Sequence, residues 1–488
     1  MSQKKTVVIG GGFAGLSAAC YLAKAGHDVT LLEQHTQLGG RARQYKEAGF
    51  TFDMGPSWYW MPDVFEKFFA DFGKKPSDYY ELVLLDPAYA VYFENGKVEM
   101  PATAEETYDL FERMEPGAGK KLKAFLDDGA YKYEVGINDL VRKPGRSLLE
   151  FADMRVLKGL FQLDLLRNIR SVINQNFKNP QLRQLMEFPV LFLGAVPQNT
   201  PALYSLMNYA DRVLGTWYPQ GGMYSVVQAM VEVAKEVGVK LELGQRVTGF
   251  DFNGADISRV NTESGSFEAD YVVGGADYAF IDQKLLPPSK RHYSPSYWAS
   301  RKMAPSSILY YVGLDCKVDL PHHALFFDAH FDTHADAIYT NPRWPEKPMF
   351  YVSAASQTDP HAAPEGSENL VILIPTAPGL EDTDEVLNRY FDLIAERLKG
   401  HIGIDIRAHL VVKKSYAYRD FVQDYNAHLG NAYGLANTLD QTAIFKPKLK
   451  AKRVRNLYYT GQLTTPGPGV PPCLISGEVV AIEIQKVS

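Results

Sequence analysis

The sequence contains few cysteines and no excess of positive charge, and both shortages exclude classes of protein. Only three cysteines, Cys20, Cys316 and Cys473, occur in 488 residues. They are far apart and form no CxxC pair, which predicts a reducing compartment without structural disulfides and offers no zinc motif. The formal net charge of -6 provides no overall basic field. Nucleic acid is therefore not expected as a partner.

A membrane-spanning segment and a cleavable targeting sequence are also missing from the pattern. The most apolar uninterrupted run, "FPVLFLGAVP" at 188–197, is about half the ~20 residues that a spanning helix needs. A predicted strand begins within about five residues of the first methionine, which leaves no room for a targeting segment. We therefore expect a cytoplasmic chain whose contact with a membrane is peripheral.

What is present is enough apolar material for several cores. Hydrophobic residues make up 46% of the chain, so two or three folded domains can each bury a core, and a disordered or fibrous protein is excluded. Near the N-terminus, an apolar strand at 6–9 is followed by a glycine-rich turn, a helix at 13–25 and a second strand at 28–33. This order predicts a βαβ unit.

The glycine-rich turn has the GxGxxG spacing of a dinucleotide-binding site. Gly10 permits the tight turn, Gly12 lets a pyrophosphate approach the backbone, and Gly15 lets helix and strand pack closely. Ala14, inside the motif, is expected to contact the cofactor as well. Glu33 ends the second strand, where a carboxylate accepts hydrogen bonds from a ribose. The alternative is a glycine-rich turn that binds no ligand.

A second glycine pair follows and distinguishes between cofactors. Gly39 and Gly40 precede two arginines, Arg41 and Arg43. Glycines allow close backbone approach and a guanidinium can hold a diphosphate with two hydrogen bonds, so the combination favours a buried FAD over an exchangeable NAD. The alternative is that both arginines lie in a solvated turn.

Twenty-two residues near the C-terminus, 456–477, carry no charged side chain and are rich in glycine and proline. They comprise a short strand, "NLYYTG", a turn, and the start of a helix at 471–484. Such a turn can place its backbone against an apolar ring without a competing ion.

Three motifs carry a resemblance to a known family. The runs "GGRARQYKEAGFTFDMGPSWYWMPDVFE" at 39–66, "YPQGGMYSVVQAM" at 218–230 and "NLYYTGQLTTPGPGVPP" at 456–472 resemble the bacterial phytoene desaturase family, FAD-dependent carotenoid desaturases related in fold to amine oxidases. The resemblance extends over essentially the whole chain. It implies an α/β fold in which a dinucleotide-type, Rossmann-like FAD-binding domain is interleaved with a mixed α+β substrate domain.

The resemblance also implies further cofactor contacts. The backbone of Val247 is expected to meet the adenine, and two other segments are expected to lie against the flavin ring. Their expected contact residues are Gly55, Pro56, Ser57, Gly461, Gly469, Val470 and Pro471. Pro471 has no N–H group, so hydrogen bonds to the flavin from this turn must come from residues such as Gly469 or Val470. Cys473 is interpreted as a small buried residue, with a reactive thiol as the alternative.

The two domains are predicted to be discontinuous in sequence. The FAD-binding domain comprises residues 1–74, 216–288 and 425–488, and the substrate and membrane-facing domain comprises 75–215 and 289–424.

One histidine-rich segment of the substrate domain allows a metal-binding interpretation. In "FFDAHFDTHAD", five possible ligands occupy every second position and would share one face of a strand; they are Asp328, His330, Asp332, His334 and Asp336. The interpretation that we favour is an edge strand or loop with a hydrated polar face, so no metal is expected.

A basic amphipathic helix is predicted at 156–177. Its apolar stripe is formed by Leu157, Phe161, Leu165, Ile169 and Val172, with Lys158, Arg167 and Arg170 outside the stripe. From 142 to 182, eight Lys or Arg face three Asp or Glu. This pattern is typical of a helix that docks on an anionic membrane. An ordinary helix packed on the domain core is the alternative.

The function expected from the resemblance is oxidative desaturation of a carotenoid precursor, with phytoene as the leading substrate and oxygen or a quinone as the electron acceptor. The flavin carries the chemistry, and Asp424 and Tyr425 are the catalytic candidates for proton transfer. Trp58, Tyr59 and Trp60 either line an apolar tunnel or pack in the core. Alternatives are a desaturase of a later carotenoid intermediate, a carotenoid isomerase, an amine oxidase and a non-catalytic carrier of prenyl lipids.

Overall fold

The computed structural model describes residues 3–146, 150, 167–191 and 196–488. Its strands are β1 Lys5–Ile9, β2 Asp28–Glu33, β3 Gln44–Glu47, β4 Phe50–Asp53, β5 Leu82–Leu84, β6 Tyr89–Phe93, β7 Gly96–Met100, β8 Trp217–Pro219, β9 Lys240–Leu243, β10 Val247–Asn253, β11 Asp256–Thr262, β12 Ser266–Glu268, β13 Tyr271–Gly274, β14 Ser306–Leu314, β15 His323–Phe326, β16 Phe350–Ser353, β17 Glu368–Thr376, β18 Leu410–Tyr416 and β19 Leu457–Tyr459.

The helices that the structure describes lie between and after these strands. They are α1 Phe13–Lys24, α2 Pro62–Asp71, α3 Ala104–Met114, α4 Ala118–Tyr133, α5 Ile169–Asn176, α6 Pro180–Leu191, α7 Leu206–Arg212, α8 Met223–Glu236, α9 Tyr278–Phe280, α10 Pro295–Ala299, α11 Phe331–Tyr339, α12 Asp384–Ile402, α13 Tyr418–Tyr425 and α14 Val470–Gln485.

A five-stranded parallel sheet forms the first layer of the fold. Its strand order is β19-β13-β1-β2-β9, and every neighbouring pair is parallel. The strands read as short apolar runs because both faces of such a sheet are covered. The predicted βαβ unit is confirmed as β1, α1 and β2, and the predicted C-terminal strand is confirmed as β19.

A seven-stranded sheet forms the second layer, in the order β18-β14-β17-β16-β15-β6-β7. Helix α12 packs on it: the Tyr310 hydroxyl on β14 donates to the Leu387 carbonyl at 2.6 Å. The helix begins after Thr383, whose side chain accepts from the Val386 N–H, and ends at Gly403 with φ 73°. These caps satisfy the free backbone groups at both helix ends.

The two sheets draw on different parts of the chain. The strands of the five-stranded sheet come from the three segments that we assigned to the FAD-binding domain, and those of the seven-stranded sheet come from the two substrate-domain segments. The α/β fold class is therefore confirmed. The exact domain boundaries stay a prediction.

The expected strand or loop at 328–336 is wrong, because most of this segment belongs to α11. Phe331, Ala335 and Ile338 are buried at helical spacing, and that period overrides the alternation of acids and histidines. The five possible metal ligands therefore do not share one face. Asp328 forms an ion pair with Arg397.

The prediction of one continuous basic helix at 156–177 is wrong at its described end, because Asn168 has an extended backbone and α5 begins only at Ile169. Residues 151–166 lie outside the described part of the chain. Within α5, Arg170 donates to both carboxylate oxygens of Glu187, at 2.7 and 2.9 Å, and to Asp332 at 2.8 Å. This arginine therefore serves an ion-pair network. Arg167 is exposed and donates to Gln175 at 2.6 Å.

Among the helices of the described ranges, none combines the length and apolar character that crossing a bilayer requires. The apolar run at 188–197 is partly helical in α6, and its residues 192–195 lie outside the described part of the chain.

Candidate cofactor and substrate site

The two glycine-rich ends of the chain meet at one edge of the five-stranded sheet. Strands β1 and β19 run in the same direction, so α1 and α14, which follow them, both begin at the carboxyl edge. A Cβ added at Gly461 would lie 3.6 Å from the Ala14 Cβ, and the Ser17 hydroxyl donates to the Leu474 carbonyl at 2.7 Å. This edge is where open α/β sheets bind dinucleotides.

The glycines of the N-terminal motif have distinct steric roles. A Cβ at Gly15 would lie 2.0 Å from the Gly10 carbonyl oxygen, so this glycine is required for helix and strand to pack. At Gly12 the nearest atom would be the Gly40 Cα, 3.9 Å away. Gly12 is thus not needed for packing, which agrees with its predicted role of leaving space for a diphosphate.

The loop at Gly39 and Gly40 lies directly over the first turn. The Gly39 N–H donates to the Gly11 carbonyl at 2.8 Å, and Gly39 and Gly40 have φ values of 111° and 55°, which favour glycine. A Cβ at Gly40 would lie 3.2 Å from the Gly12 Cα. The two glycine-rich turns therefore face each other with bare backbone.

Glu33 lies at the end of β2, as predicted, and is buried. One carboxylate oxygen accepts from the Gly11 N–H at 2.7 Å and the other from the His35 N–H at 2.9 Å. These bonds fix the carboxylate beside the first glycine turn. Val247 begins β10 and belongs to the same buried cluster as Ile9, which ends β1, and Leu32, which precedes the last residue of β2.

Arg41 and Arg43 form a partly buried pair around one tyrosine ring. The guanidinium carbons lie 5.1 and 5.2 Å from the centre of the Tyr425 ring. Arg43 donates to the Asp424 carboxylate at 2.5 Å and to the Tyr425 hydroxyl at 3.3 Å, while Arg41 donates to the Asn431 carbonyl at 3.2 Å. The alternative of a solvated turn does not fit this burial.

The catalytic candidates Asp424 and Tyr425 are thus found in this arginine cluster. The Asp424 carboxylate also accepts from the Tyr416 hydroxyl at 2.9 Å, and its backbone carbonyl lies 2.8 Å from His35 Nε2. Both residues therefore lie beside the end of β2 and the two arginines.

The residues at this edge fit the diphosphate of FAD. The Nε atoms of Arg41 and Arg43 are buried and lack a hydrogen-bond partner within the described part of the chain. Neither α1 nor α14 has an acidic residue in its first turn. Buried donors without acceptors and two uncompensated helix N-termini are what an anion would satisfy.

The segment Gly55–Ser57 connects this edge to the seven-stranded sheet. A Cβ at Gly55 would lie 2.3 Å from the Arg41 carbonyl oxygen, so only glycine fits against that backbone. The Ser57 hydroxyl lies 2.8 Å from the Tyr351 hydroxyl, which in turn lies 2.7 Å from His323 Nδ1. Pro56, between them, is partly exposed.

An aromatic cluster follows Ser57. The Trp58 ring stacks on His323 with 4.1 Å between centroids and 13° between planes, and Trp60 lies 5.1 Å from Trp58. Tyr59 faces a different group, because its ring stacks on Phe65 at 4.2 Å and is fully buried. Trp58 and Trp60 thus adjoin the substrate-domain sheet, whereas Tyr59 packs in a core.

Burial keeps His323 uncharged. Burial and then the neighbouring His322 hold the pKa of His323 well below its usual range. Its Nε2 is buried without a hydrogen-bond partner among the residues described here. An apolar substrate is compatible with a neutral imidazole, because it offers no group to pair with a charge.

Asp53, within the "FDMG" segment at 52–55, has a structural role. Its carboxylate accepts from the Met223 N–H at 2.6 Å and the Tyr224 N–H at 3.2 Å, which caps α8 from a distant segment. Burial raises the pKa of Asp53 to about 7, although these two backbone bonds oppose the rise. A Cβ at Gly222 would lie 2.4 Å from the carboxylate, so glycine is required there.

The uncharged C-terminal run forms the turn before α14. The Gly461 N–H donates to the Ser476 hydroxyl at 3.0 Å. Gly469 precedes the helix with φ 115°, and Val470 and Pro471 are its first residues, a position that proline favours. Cys473 is partly buried, and its burial raises the pKa of the thiol to about 12, which disfavours a reactive thiolate.

Several residues of the site carry no local sequence signal. His323 and Tyr351 lie on strands β15 and β16, Asn431 lies in a loop, and Gln462 follows Gly461. With its amide oxygen oriented towards Arg41, Gln462 accepts from that guanidinium at 3.0 Å. These residues reach the site only through the fold.

Comparisons with known proteins match nearly the whole chain. The family model of the flavin containing amine oxidoreductases matches residues 13–485. A carotenoid 3,4-desaturase of Haloarcula japonica is 42% identical, over 99% of this chain and 98% of that protein. A 4,4'-diapophytoene desaturase of Staphylococcus aureus is 32% identical, over 99% of each chain. An oxidoreductase structure from Methanosarcina mazei shares the fold with a TM-score of 0.65 at 16% identity, over 99% of this chain and 100% of that chain.

Proposed function

Because the chain belongs to the flavin containing amine oxidoreductase family and, within it, to the carotenoid desaturases, we propose that it introduces a double bond into a carotenoid by removing two hydrogens. It is an FAD-dependent oxidoreductase. The observation that carries the proposal is the similarity of 42% identity over 99% of the chain, since it covers the cofactor edge and the substrate-domain sheet together.

Bound FAD supplies the acceptor of a hydride from a C–H bond. The residues of this chain bind and orient it. Gly12 and Gly40 leave room for the diphosphate, Arg41 and Arg43 supply unused Nε donors to it, and Glu33 is in place for the ribose. Among the expected ring contacts, Gly469 precedes α14, and Val470 and Pro471 are its first residues. All the expected ring contacts stay part of the proposal.

We propose that Asp424 and Tyr425 act through the arginines. The Asp424 carboxylate balances the Arg43 charge and fixes its direction, and the Tyr425 ring lies between Arg41 and Arg43. A guanidinium held in this way loses less side-chain entropy when it binds a diphosphate. Their role is then to position the arginines.

The substrate that we favour is a carotenoid later than phytoene, with the new double bond at the 3,4 position. The 42% identical relative named carotenoid 3,4-desaturase supports this choice. Phytoene, the leading substrate expected from the sequence, is the second candidate, and the 32% identical relatives named diapophytoene desaturases favour it. A carotenoid isomerase, an amine oxidase and a prenyl-lipid carrier lack comparable support.

We further propose that the enzyme takes its substrate from a membrane surface to which it binds peripherally, and that oxygen or a quinone accepts the electrons. The local excess of basic residues between 142 and 182 supports the proposed membrane binding. A carotenoid is a hydrocarbon that partitions into bilayers, which makes a membrane-associated quinone a suitable acceptor.

Anaerobic flavin bleaching tests the function. Purified enzyme is mixed with liposomes that contain phytoene or a more desaturated carotenoid, and the visible absorbance of the flavin is followed. We expect the later carotenoid to bleach the flavin and to gain one double bond by chromatography, and a quinone or oxygen to restore the absorbance. Bleaching by phytoene alone would support the second candidate. Isomer interconversion without bleaching would contradict desaturation.

A further inference from the structure

Lys446 is a buried lysine in the loop before β19. Its side chain is 3% exposed. Nζ donates to the Asn437 amide oxygen at 2.8 Å, and no carboxylate within salt-bridge distance occurs in the part of the chain that the structure describes. A lysine in this setting is rare, because a buried charge normally has a counter-ion.

Lys446 lies directly against the uncharged C-terminal run. A Cβ added at Gly467 would lie 2.9 Å from Lys446 Nζ and 3.3 Å from the Asn437 amide oxygen. Gly467 is two residues before Gly469, the residue that precedes α14. The amine is thus at the turn that is expected to face the flavin ring.

The titratable side chains near Lys446 have hydrogen-bond or ionic partners other than Lys446. On the same loop, Lys448 donates to the Gly145 and Ile444 carbonyls at 2.7 Å each. Asp440 pairs with Lys302 at 3.3 Å.

Groups on neighbouring segments are likewise paired. Arg146 pairs with Glu483, and the Tyr204 hydroxyl lies 3.2 Å from the Thr442 hydroxyl. Burial alone lowers the pKa of Lys446 to about 7, so its neutral and charged forms are both accessible near neutral pH.

We propose that Lys446 Nζ, in its neutral form, accepts the proton released by carotenoid dehydrogenation. This inference rests on the proposed desaturation and adds the base, a role for which sequence patterns had offered only Asp424 and Tyr425. One C–H bond breaks to give a hydride, which reduces the bound flavin by two electrons. The neighbouring C–H bond breaks to give a proton, which binds Nζ, and its electron pair forms the new C=C bond.

The same position couples the proton to the redox state of the flavin. Hydride transfer to a bound flavin would add one negative charge, and a negative charge close to Lys446 would favour its ammonium form. Protonation of Nζ and reduction therefore assist each other. A general base with a pKa near the working pH is also the most effective one.

Redox titration of the flavin-loaded enzyme tests this coupling without using activity. Wild type, Lys446→Met, Lys446→Gln and the control Lys450→Met, at an exposed position of the same loop, are titrated between pH 6.5 and 9.5. One additional proton per two electrons changes the equilibrium tenfold per pH unit, which is about 30 mV. We expect the potential of wild type and Lys450→Met to fall more steeply than that of both Lys446 variants by this amount. The glutamine side chain can still donate a hydrogen bond to Asn437, so Lys446→Gln replaces Lys446→Met in the comparison if the methionine variant folds poorly.

Substrate-driven flavin bleaching completes the test. In wild type the rate should fall below about pH 7, where the lysine is protonated, and both Lys446 variants should be at least tenfold slower with no such pH dependence. Equal redox slopes, or unchanged rates in the variants, would overturn the role of Lys446. If no carotenoid bleaches wild-type flavin although the slopes differ, the desaturase function fails and this role fails with it.

Discussion

Replacing Lys446 with methionine should stabilise the protein at neutral pH, because it removes a charge that folding buries. Burial lowers the pKa of this lysine from 10.5 to about 7. Each unit of difference between folded and unfolded states corresponds to about 1.4 kcal/mol, so the ammonium form costs on the order of 5 kcal/mol. Loss of the hydrogen bond to Asn437 offsets about 1 to 2 kcal/mol. A net gain of roughly 3 kcal/mol is expected.

The sign of the pH dependence follows from proton binding. Between pH 7 and 10.5 the unfolded chain binds more protons at this lysine than the folded chain, so the free energy of unfolding of the wild type rises with pH. The cost is complete below the folded pKa and disappears as pH approaches the unfolded pKa. The advantage of Lys446→Met should therefore shrink by about 1.4 kcal/mol per pH unit above pH 7.

Urea unfolding of flavin-loaded protein at pH 7, 8 and 9, followed by tryptophan fluorescence, measures this difference. Lys450→Met is the matched control and should follow the wild type. A constant difference between wild type and Lys446→Met across the three pH values would refute the reasoning, because it would mean that Lys446 keeps its proton in the folded state.

Three further changes test the cofactor edge and the membrane contact. Gly12→Val should fold and lack flavin absorbance, since its Cβ meets nothing closer than 3.9 Å, whereas Gly400→Val, on the exposed face of α12, should bind flavin normally. Asp424→Asn should weaken FAD retention by roughly tenfold, measured by dialysis, without changing the products, because one charged hydrogen bond is lost. Arg167→Glu should weaken sedimentation with anionic liposomes more than about tenfold, and Lys235→Glu should not; equal binding of both would assign the basic helix to another role.

Local patterns predicted the cofactor half of the fold well. The βαβ unit follows from short-range periodicity and from glycines whose roles are steric, so strand, turn and helix could be recognised within about thirty residues. The C-terminal strand and helix were recognised through the family resemblance. Arg41 and Arg43 lie together beside the Tyr425 ring, and their predicted role in holding the diphosphate stays a prediction.

The substrate half shows where local patterns fail. Its sheet pairs β6 near residue 90 with β15 near residue 325. Neither segment contains a local sequence pattern that predicts its distant partner strand. In α11, the alternation of Asp and His suggested a strand, but Phe331, Ala335 and Ile338 at helical spacing determine the structure. Tertiary packing of the apolar residues decided the outcome.

The burial of Lys446 is the clearest feature that the sequence pattern did not predict. It begins the run "KPKLKAKR" at 446–453, which is typical of a solvated basic loop. The structure exposes Lys450 and buries Lys446, because the loop turns its first lysine towards Gly467 and Asn437. A charge run thus gave no indication that one member lies at the site.

Asn437 offers the most direct test of how the site tunes this lysine. Its amide oxygen lies 2.8 Å from Lys446 Nζ, and Asn437→Asp has nearly the same shape, so the change adds one negative charge to the existing contact. A paired carboxylate favours the ammonium form and raises the pKa of the lysine.

A lysine held as ammonium cannot accept a proton, and the run at 456–477 contains no carboxylate, histidine or second lysine to replace it. Asn437→Asp should therefore retain FAD, lose most of the rate of substrate-driven bleaching at pH 7.5, and recover it only at higher pH. The variant's redox potential should also depend less steeply on pH. If the rate at pH 7.5 equals that of the wild type, an ammonium at this position does not hinder dehydrogenation, and the proton must leave the carotenoid by another group.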